Sequence, residues 1–261
     1  MTIFRRFGNF PKAAGDVRAG DAHWRVPEEV PCAFVYNGRN YAVMLATPLC
    51  LEDFAIGFSL TERVVDQLTD IHSVEIHGSP MGVEFHFKIT DEKLARFDIR
   101  QRRRNIVGRA GCGVCGLENA EHFFEPLPQV ARKKHTLDLD AIWRGCEALP
   151  GYQKLHSETR SVHGAAWVDA TGDIHTVRED VGRHNALDKL LGALGREDVN
   201  TANGFILISS RCSYEIVEKA VRCGVKAVAS ISAPTAFAVR KAEEANLSLY
   251  VKAESAFVAV T

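Results

Sequence analysis

An α/β domain preceded by a smaller α+β domain is the fold class that this sequence predicts. Beyond residue 135, apolar strand-like runs alternate with helix-like segments, the pattern of an α/β domain with a mainly parallel sheet. Before residue 95, apolar runs joined by turn residues flank one amphipathic stretch, which reads as a small α+β domain. With 261 residues, 46% hydrophobic and 25% charged, the chain can bury a substantial core in one or two domains. The predicted division is 1–95 for the α+β domain, 96–134 for an arginine-rich connector carrying a Cys-x-x-Cys loop, and 135–261 for the α/β domain.

The elements follow in order. Cys32–Tyr36 and Tyr41–Leu45 are apolar runs joined by Asn37-Gly38-Arg39-Asn40, a β-hairpin signal. Thr47-Pro48 then opens an amphipathic helix over Leu49 to Val65, where Leu51, Phe54, Ala55, Phe58 and Leu60 recur near helical spacing and Glu52 and Asp53 are acidic in the first turn. Val74–His77 and Val83–Ile89 read as two strands around a Gly-Ser-Pro-Met-Gly turn. The stretch from Arg96 to Arg109 holds six arginines and reads as a mobile connector. Further on, Ala165–Asp169 and Ile174–Val177 form a hairpin. Helices are expected at Asn185–Leu194, Tyr214–Cys223 and Ala236–Ala245. Strands are expected at Gly204–Ser209, Ala227–Ser232 and near Leu247.

Composition excludes several function classes. Lys plus Arg number 32 against 33 Asp plus Glu, a net charge of -1, which argues against a nucleic-acid coat protein and makes any anion site local. No apolar run reaches signal-peptide or membrane-spanning length, so a soluble, cytoplasmic chain is expected. Seven cysteines are too sparse for a disulfide scaffold and suit a reducing compartment.

Chemistry concentrates in two places. In Gly111-Cys112-Gly113-Val114-Cys115-Gly116, glycines on both sides let the backbone turn tightly and aim amides at sulfur, while Arg109 and its neighbours supply positive charge that favours a thiolate. This spacing suits sulfur or redox chemistry; it also suits half of a structural zinc site or a plain turn. The arginine run reads equally as a solvated face. The second place is a set of strand-to-helix turns. Arg183 and His184 precede a helix for which Asn185 is the expected N-cap and Asp188 the N3 residue, and such an end receives phosphate. The other reading of Arg178, Glu179, Asp180 and Arg183 is an internal salt-bridge network. Ser210-Arg211 and Ser232 to Thr235 follow strands and would lie at the ligand-binding edge of an open α/β sheet; Ser213 and Thr235 also read as helix N-caps. Small hydroxyl residues together with Arg211 suit a phosphate or nucleotide where these turns converge.

Four blocks carry a resemblance: Thr47-Pro48 with Leu51 to Phe58 and Thr61-Glu62, Gly111 to Gly116, Arg178 to Lys189, and Ser210-Arg211 with Tyr214-Glu215 through Ser232 to Thr235. Together they resemble the formate dehydrogenase accessory sulfurtransferase family, FdhD. The resemblance implies a cytoplasmic homodimer that accepts sulfur from a cysteine desulfurase and passes it to a molybdenum cofactor bearing two molybdopterin guanine dinucleotides. The cofactor is then inserted into the formate dehydrogenase catalytic subunit. Cys112 would carry the persulfide and Cys115 would assist; GDP or GMP would mimic the bound cofactor, and no metal would be held by the protein itself. No nucleic acid or membrane partner is implied. The family's second half is similar in fold to cytidine deaminases, although the deaminase zinc signature is missing here. The family's cofactor-binding C-terminal stretch maps to Lys252, Ala253, Glu254, Ser255, Ala256 and Phe257. That stretch departs from the family's Gly-Phe and Arg pattern, and Glu254 would repel a pyrophosphate unless Lys252 offsets it. A cofactor chaperone with structural cysteines, or a zinc-stabilised structural protein, are the alternative readings.

Overall fold

A computed structural model describes residues 2–95, 126–131 and 137–261; the Cys112 and Cys115 loop, with most of the expected connector, lies outside them. The first half is a five-stranded sheet of β1 (Ile3–Gly8), β4 (Val30–Tyr36), β5 (Arg39–Ala46), β6 (Ile71–Ser79) and β7 (Gly82–Ile89), while β2 (Ala14–Ala19) and β3 (Ala22–Pro27) form a separate hairpin. Across the sheet the order is β1-β6-β7-β4-β5. The predicted hairpin is β4 and β5. Its turn narrows to Asn37 and Gly38, whose φ of 47° and 80° are the left-handed angles that Asn and Gly adopt most readily. Three strands, β1 to β3, were not expected: β1 is held by parallel pairing to β6, a long-range partner that no local pattern announces.

Helix α1 (Leu51–Thr61) is shorter than the predicted 49–65. It starts after Cys50, a left-handed residue with φ 50°, and Thr47 is not part of its cap. One face of α1 packs on the sheet. Phe54 and Phe58 pack with Phe34, Tyr36, Phe85 and Phe87, all buried, and the Phe34 and Phe58 rings stack at 4.0 Å. Aromatic contacts of this kind add about 0.5–1.5 kcal/mol to area burial.

The second half is a six-stranded sheet of β8 (His163–Asp169), β9 (Ile174–Asp180), β10 (Gly204–Ile208), β11 (Ala227–Ser230), β12 (Ser248–Ala253) and β13 (Ala256–Ala259), in the order β13-β12-β11-β10-β8-β9. Only β10, β11 and β12 run parallel; hairpins add β9 and β13 antiparallel, so the sheet is mixed where a mainly parallel one was expected. Helices α2 (Leu139–Tyr152) and α3 (Lys154–Thr159) were not foreseen. Helix α2 covers one face of the sheet, burying Ile142, Cys146 and Leu149 against Phe205, Leu207 and Tyr250. Helices α4 (Arg183–Arg196), α5 (Tyr214–Arg222) and α6 (Ala236–Glu244) cover the other.

The two halves join through α1 and α4. Asp53, Gly57 and Thr61 recur every fourth residue on α1, as do Asp188, Gly192 and Arg196 on α4, so each set lies along one face of its helix. Asp53 pairs with Arg196 and Thr61 Oγ1 donates to Asp188 Oδ1 at 2.7 Å, an antiparallel register. Between them the backbones touch. A Cβ on Gly57 would stand 1.7 Å from the Asp188 carbonyl oxygen, and one on Gly192 would stand 1.9 Å from that of Asp53.

Gly192→Ala is therefore expected to force α1 and α4 apart and to cost about 3 kcal/mol, the upper end for overpacking. Urea denaturation checks this, since an unchanged midpoint would mean that the crossing is not constrained.

Candidate functional site

The three parallel strands end at one edge of the second sheet. Strand β8 runs antiparallel to β10 and begins at that edge, and β9 runs antiparallel to β8 and ends there. The turns at 181–184, 209–213 and 231–235, together with the Glu254-Ser255 turn between β12 and β13, thus share one edge. Hydrogen bonds tie the turns at 209–213 and 231–235 to each other. The buried Ser230 hydroxyl lies within reach of two carbonyls, Ser210 at 2.9 Å and Ser232 at 2.6 Å, and the Thr235 amide donates to the Cys212 carbonyl at 3.0 Å.

Helix α4 begins two residues earlier than expected, with Gly182 at its N-cap, so Asn185 does not cap it. The buried Asn185 amide instead donates to the Leu45 carbonyl at 2.7 Å and to Asp180 Oδ1 at 3.0 Å. Asp188 likewise leaves the helix end alone and faces α1. The charged block before α4 is an internal network up to Asp180. Arg178 binds Asp53 at 2.7 Å, and Glu179 accepts the Leu155 and His156 amides at the start of α3 at 2.9 and 2.8 Å. Asp180 and Lys189, both 0% exposed, pair at 2.6 Å. Thr47 closes this network: its amide donates to Asp180 Oδ2 at 2.9 Å, its carbonyl accepts from Lys189 Nζ at 2.8 Å, and its hydroxyl accepts the Val181 amide at 3.2 Å.

Arg183 and His184 lie past this network, in the first turn of α4 and at the edge. The Arg183 Nε is buried and has no hydrogen-bond partner among the described residues. His184 Nε2 lies 2.8 Å from Glu215 Oε2 and 3.4 Å from Ser213 Oγ. Burial works to raise the Glu215 carboxyl, but the hydrogen bond and charge of His184, with Lys219 and Arg183, outweigh it and hold the group below the usual carboxylate range. Ser213 occupies the N-cap position of α5 without a capping bond from its side chain. Thr235 does cap α6, accepting the Ala238 amide at 3.1 Å. Ser210 is buried, and Arg211 is exposed beside it.

Of the residues expected from the C-terminal stretch, Lys252 and Phe257 sit elsewhere. Lys252 points to the α2 face, with its ammonium 4.8 Å from the Trp143 ring centroid, across the sheet from α4. Phe257 is a core residue against Trp143 at 6.1 Å. Ala253, Glu254, Ser255 and Ala256 form the exposed tip of the β12–β13 hairpin at the shared edge. A cavity of about 820 Å³ opens near the other end of α4, lined by Leu60, Arg63, Leu127, Leu194, Val199 and Arg222, and includes none of the expected site residues.

Two residues at the edge escaped the sequence reading. Ser230 sits inside an apolar strand, and only the approach of two turns gives its hydroxyl a role. His163, at the start of β8, is lowered below the usual histidine value first by burial and then by Arg183, with His156 and His184 adding to this and Asp180 opposing it. A histidine that holds its proton less firmly when folded destabilises the fold as pH falls below its ordinary value of about 6.5. His163→Gln should flatten the fall in urea midpoint between about pH 7 and pH 5; an unaltered slope would show that the group does not contribute.

No helix among the described residues is long and apolar enough to cross a membrane. The fold matches a solved structure from Desulfotalea psychrophila, provisionally described as a formate dehydrogenase accessory protein, with a TM-score of 0.69 over 95% of both chains at 19% identity. Among curated relatives, the sulfur carrier protein FdhD of Xanthomonas euvesicatoria is 46% identical over 224 residues, 86% of this chain and 79% of the relative. That of Bordetella petrii is 44% identical over 235 residues, 90% of this chain and 84% of the relative. Residues 27–257 match the sequence profile of the FdhD/NarQ family, both halves and the edge included, and the chain belongs to that family.

Proposed function

We propose that the protein is a cytoplasmic sulfur carrier that takes persulfide sulfur on Cys112 from a cysteine desulfurase. In this reading it delivers the sulfur to a molybdenum cofactor with two guanine dinucleotides, for use by a formate dehydrogenase, and acts as a homodimer. The observation that carries the reading is the sheet edge, where α4 presents its first turn with Arg183 and His184 beside the turns that hold Ser210, Arg211, Ser232 and Thr235. Helix amides and guanidinium groups are the donors that a diphosphate needs, and the Arg183 Nε, unpartnered among the described residues, is a donor awaiting an acceptor. The names of the relatives support the sulfur-carrying half of the reading.

The chemistry divides between two sites on one chain. In this reading the glycines around Cys112 and Cys115 would let backbone amides face sulfur, and the arginines near them in sequence would favour the thiolate that attacks a desulfurase persulfide. A pyrophosphate at the edge would hold the cofactor for transfer, with Cys115 assisting release.

After incubation with a cysteine desulfurase and cysteine, mass spectrometry should find one added sulfur on Cys112. Sulfur found only on Cys146, Cys212 or Cys223 would refute the assignment. Cys112→Ala should abolish support of formate dehydrogenase, whereas a cofactor chaperone would keep it. For the edge, Arg211→Ala should weaken GDP binding about ten- to a hundredfold, the loss of one charge-assisted contact, while replacing Arg102 to Arg104 should matter much less. Titration calorimetry separates the cases, and equal losses from both sets would place the nucleotide elsewhere.

A further inference from the structure

Cys146 of α2 and Lys252 of β12 meet on the face of the second sheet away from α4. Cys146 is 8% exposed, and its Sγ lies 4.0 Å from Lys252 Nζ. Three contacts hold the two together. Trp143 lies one turn before Cys146 on α2 and carries the Lys252 ammonium 4.8 Å from its ring centroid. Trp143 also meets Phe257 edge-on, and Phe257 is the cross-strand partner of Lys252 in the β12–β13 hairpin. The amine is thereby kept beside the sulfur rather than free in solvent.

We propose that Cys146 and Lys252 form an oxidation-sensitive pair, in which hydrogen peroxide converts the thiol to a sulfenic acid and the Lys252 amine closes on it as a sulfenamide. In the first step, sulfur attacks the peroxide, gaining one oxygen as the O–O bond breaks and water leaves. In the second, the lone pair of the neutral amine attacks sulfur, the S–O bond breaks, and the oxygen departs with the amine proton as a second water. Sulfur loses two electrons, peroxide gains them, and the net product is an S–N bond. Condensation of a sulfenic acid with a nearby nitrogen is established thiol chemistry. Two thiol equivalents would restore the free side chains and leave as a disulfide.

The surroundings favour closure on nitrogen over a disulfide with another chain. At 8% exposure Cys146 is harder for the thiol of another protein to approach than for a small oxidant, and among the described residues the amine beside it is that of Lys252 at 4.0 Å, a gap that rotation of the flexible lysine stem closes. Burial pushes the thiol upward from its ordinary value, and the Lys252 charge only partly pulls it back. Oxidation is therefore slower than at an exposed thiolate, and the pair answers to sustained oxidant. The product loses the charge of Lys252 and staples β12 to α2 beside the exposed Glu254-Ser255 turn.

The test is peptide mass spectrometry of the full chain after peroxide, in the native sequence and with Cys112→Ser and Cys115→Ser to remove the loop thiols. The expected product joins the peptides holding Cys146 and Lys252 at their summed mass less two hydrogens, and dithiothreitol dissolves it. Lys252→Arg retains the cation over Trp143 but removes the nucleophile. It should abolish the link and leave Cys146 open to a sulfenic-acid trap such as dimedone. Cys146 recovered unmodified, as sulfinic acid, or joined to another cysteine, with no link to Lys252, would overturn the proposal. The readout does not involve nucleotide or sulfur delivery, so its failure would leave the proposed function untouched.

Discussion

The contact of α1 with α4 is the constraint on which the rest of the structure depends. Two helices whose backbones touch at Gly57 and Gly192 bury whatever lies along the same faces, and here those faces carry charge. Asp188 and Lys219 pair at 2.9 Å, Asp53 bridges Arg178 and Arg196, and Asp180 meets Lys189 with both side chains fully buried. Burial works against the charge of Lys219, but Asp188 and Glu62 outweigh it and raise its hold on the proton. Such pairs add little net stability over apolar packing, yet removing one partner typically costs about 3–5 kcal/mol because the other is left buried and alone. The network therefore makes one arrangement of the two halves far better than any displaced one.

The same residues orient the candidate site. Asp180 binds Lys189 and Thr47 on one side. On the other it accepts the Gly182 amide at 2.8 Å and the Asn185 side chain, which frames the two residues that open α4. The N-terminus of α4 is aimed along the sheet edge by interactions rooted between the halves, not by its own capping. Cations from the second half also rest on aromatic rings of the first, with Lys189 5.6 Å from the Phe54 centroid and Lys219 5.9 Å from that of Phe58. The aromatic face of α1 thus serves the sheet and the network together. Asp53, Asp180 and Asp188 are paired inside, while Arg183 and Arg211 lie at the edge together with Glu215 and Glu254, so any anion site of this nearly neutral protein is local.

What the sequence by itself determined is local. Asn37-Gly38 specified a hairpin because those residues tolerate left-handed angles, and apolar runs of strand length separated by helical periodicity marked β10, β11, α5 and α6 within a residue or two at most ends. The order of these elements also put the turns at Ser210 and Ser232 in reach of one edge, since successive parallel strands finish on the same side, whereas the Arg183 turn reaches it only because β8 pairs antiparallel to β10. The charged block at 178–189 stood out as well, but its sequence left an anion site and a salt-bridge network equally open. Only the tertiary structure divided it, assigning Arg178, Glu179, Asp180, Asp188 and Lys189 to internal pairs and leaving Arg183 and His184 at the edge. The partners that decide this, Asp53, Thr47, Thr61 and Lys219, lie between 31 and 142 positions away along the chain. The unforeseen β1, the mixed sheet and the turning of Lys252 toward Trp143 have the same origin. Each is selected by burial against distant residues, and a periodicity read within one segment contains no term for that.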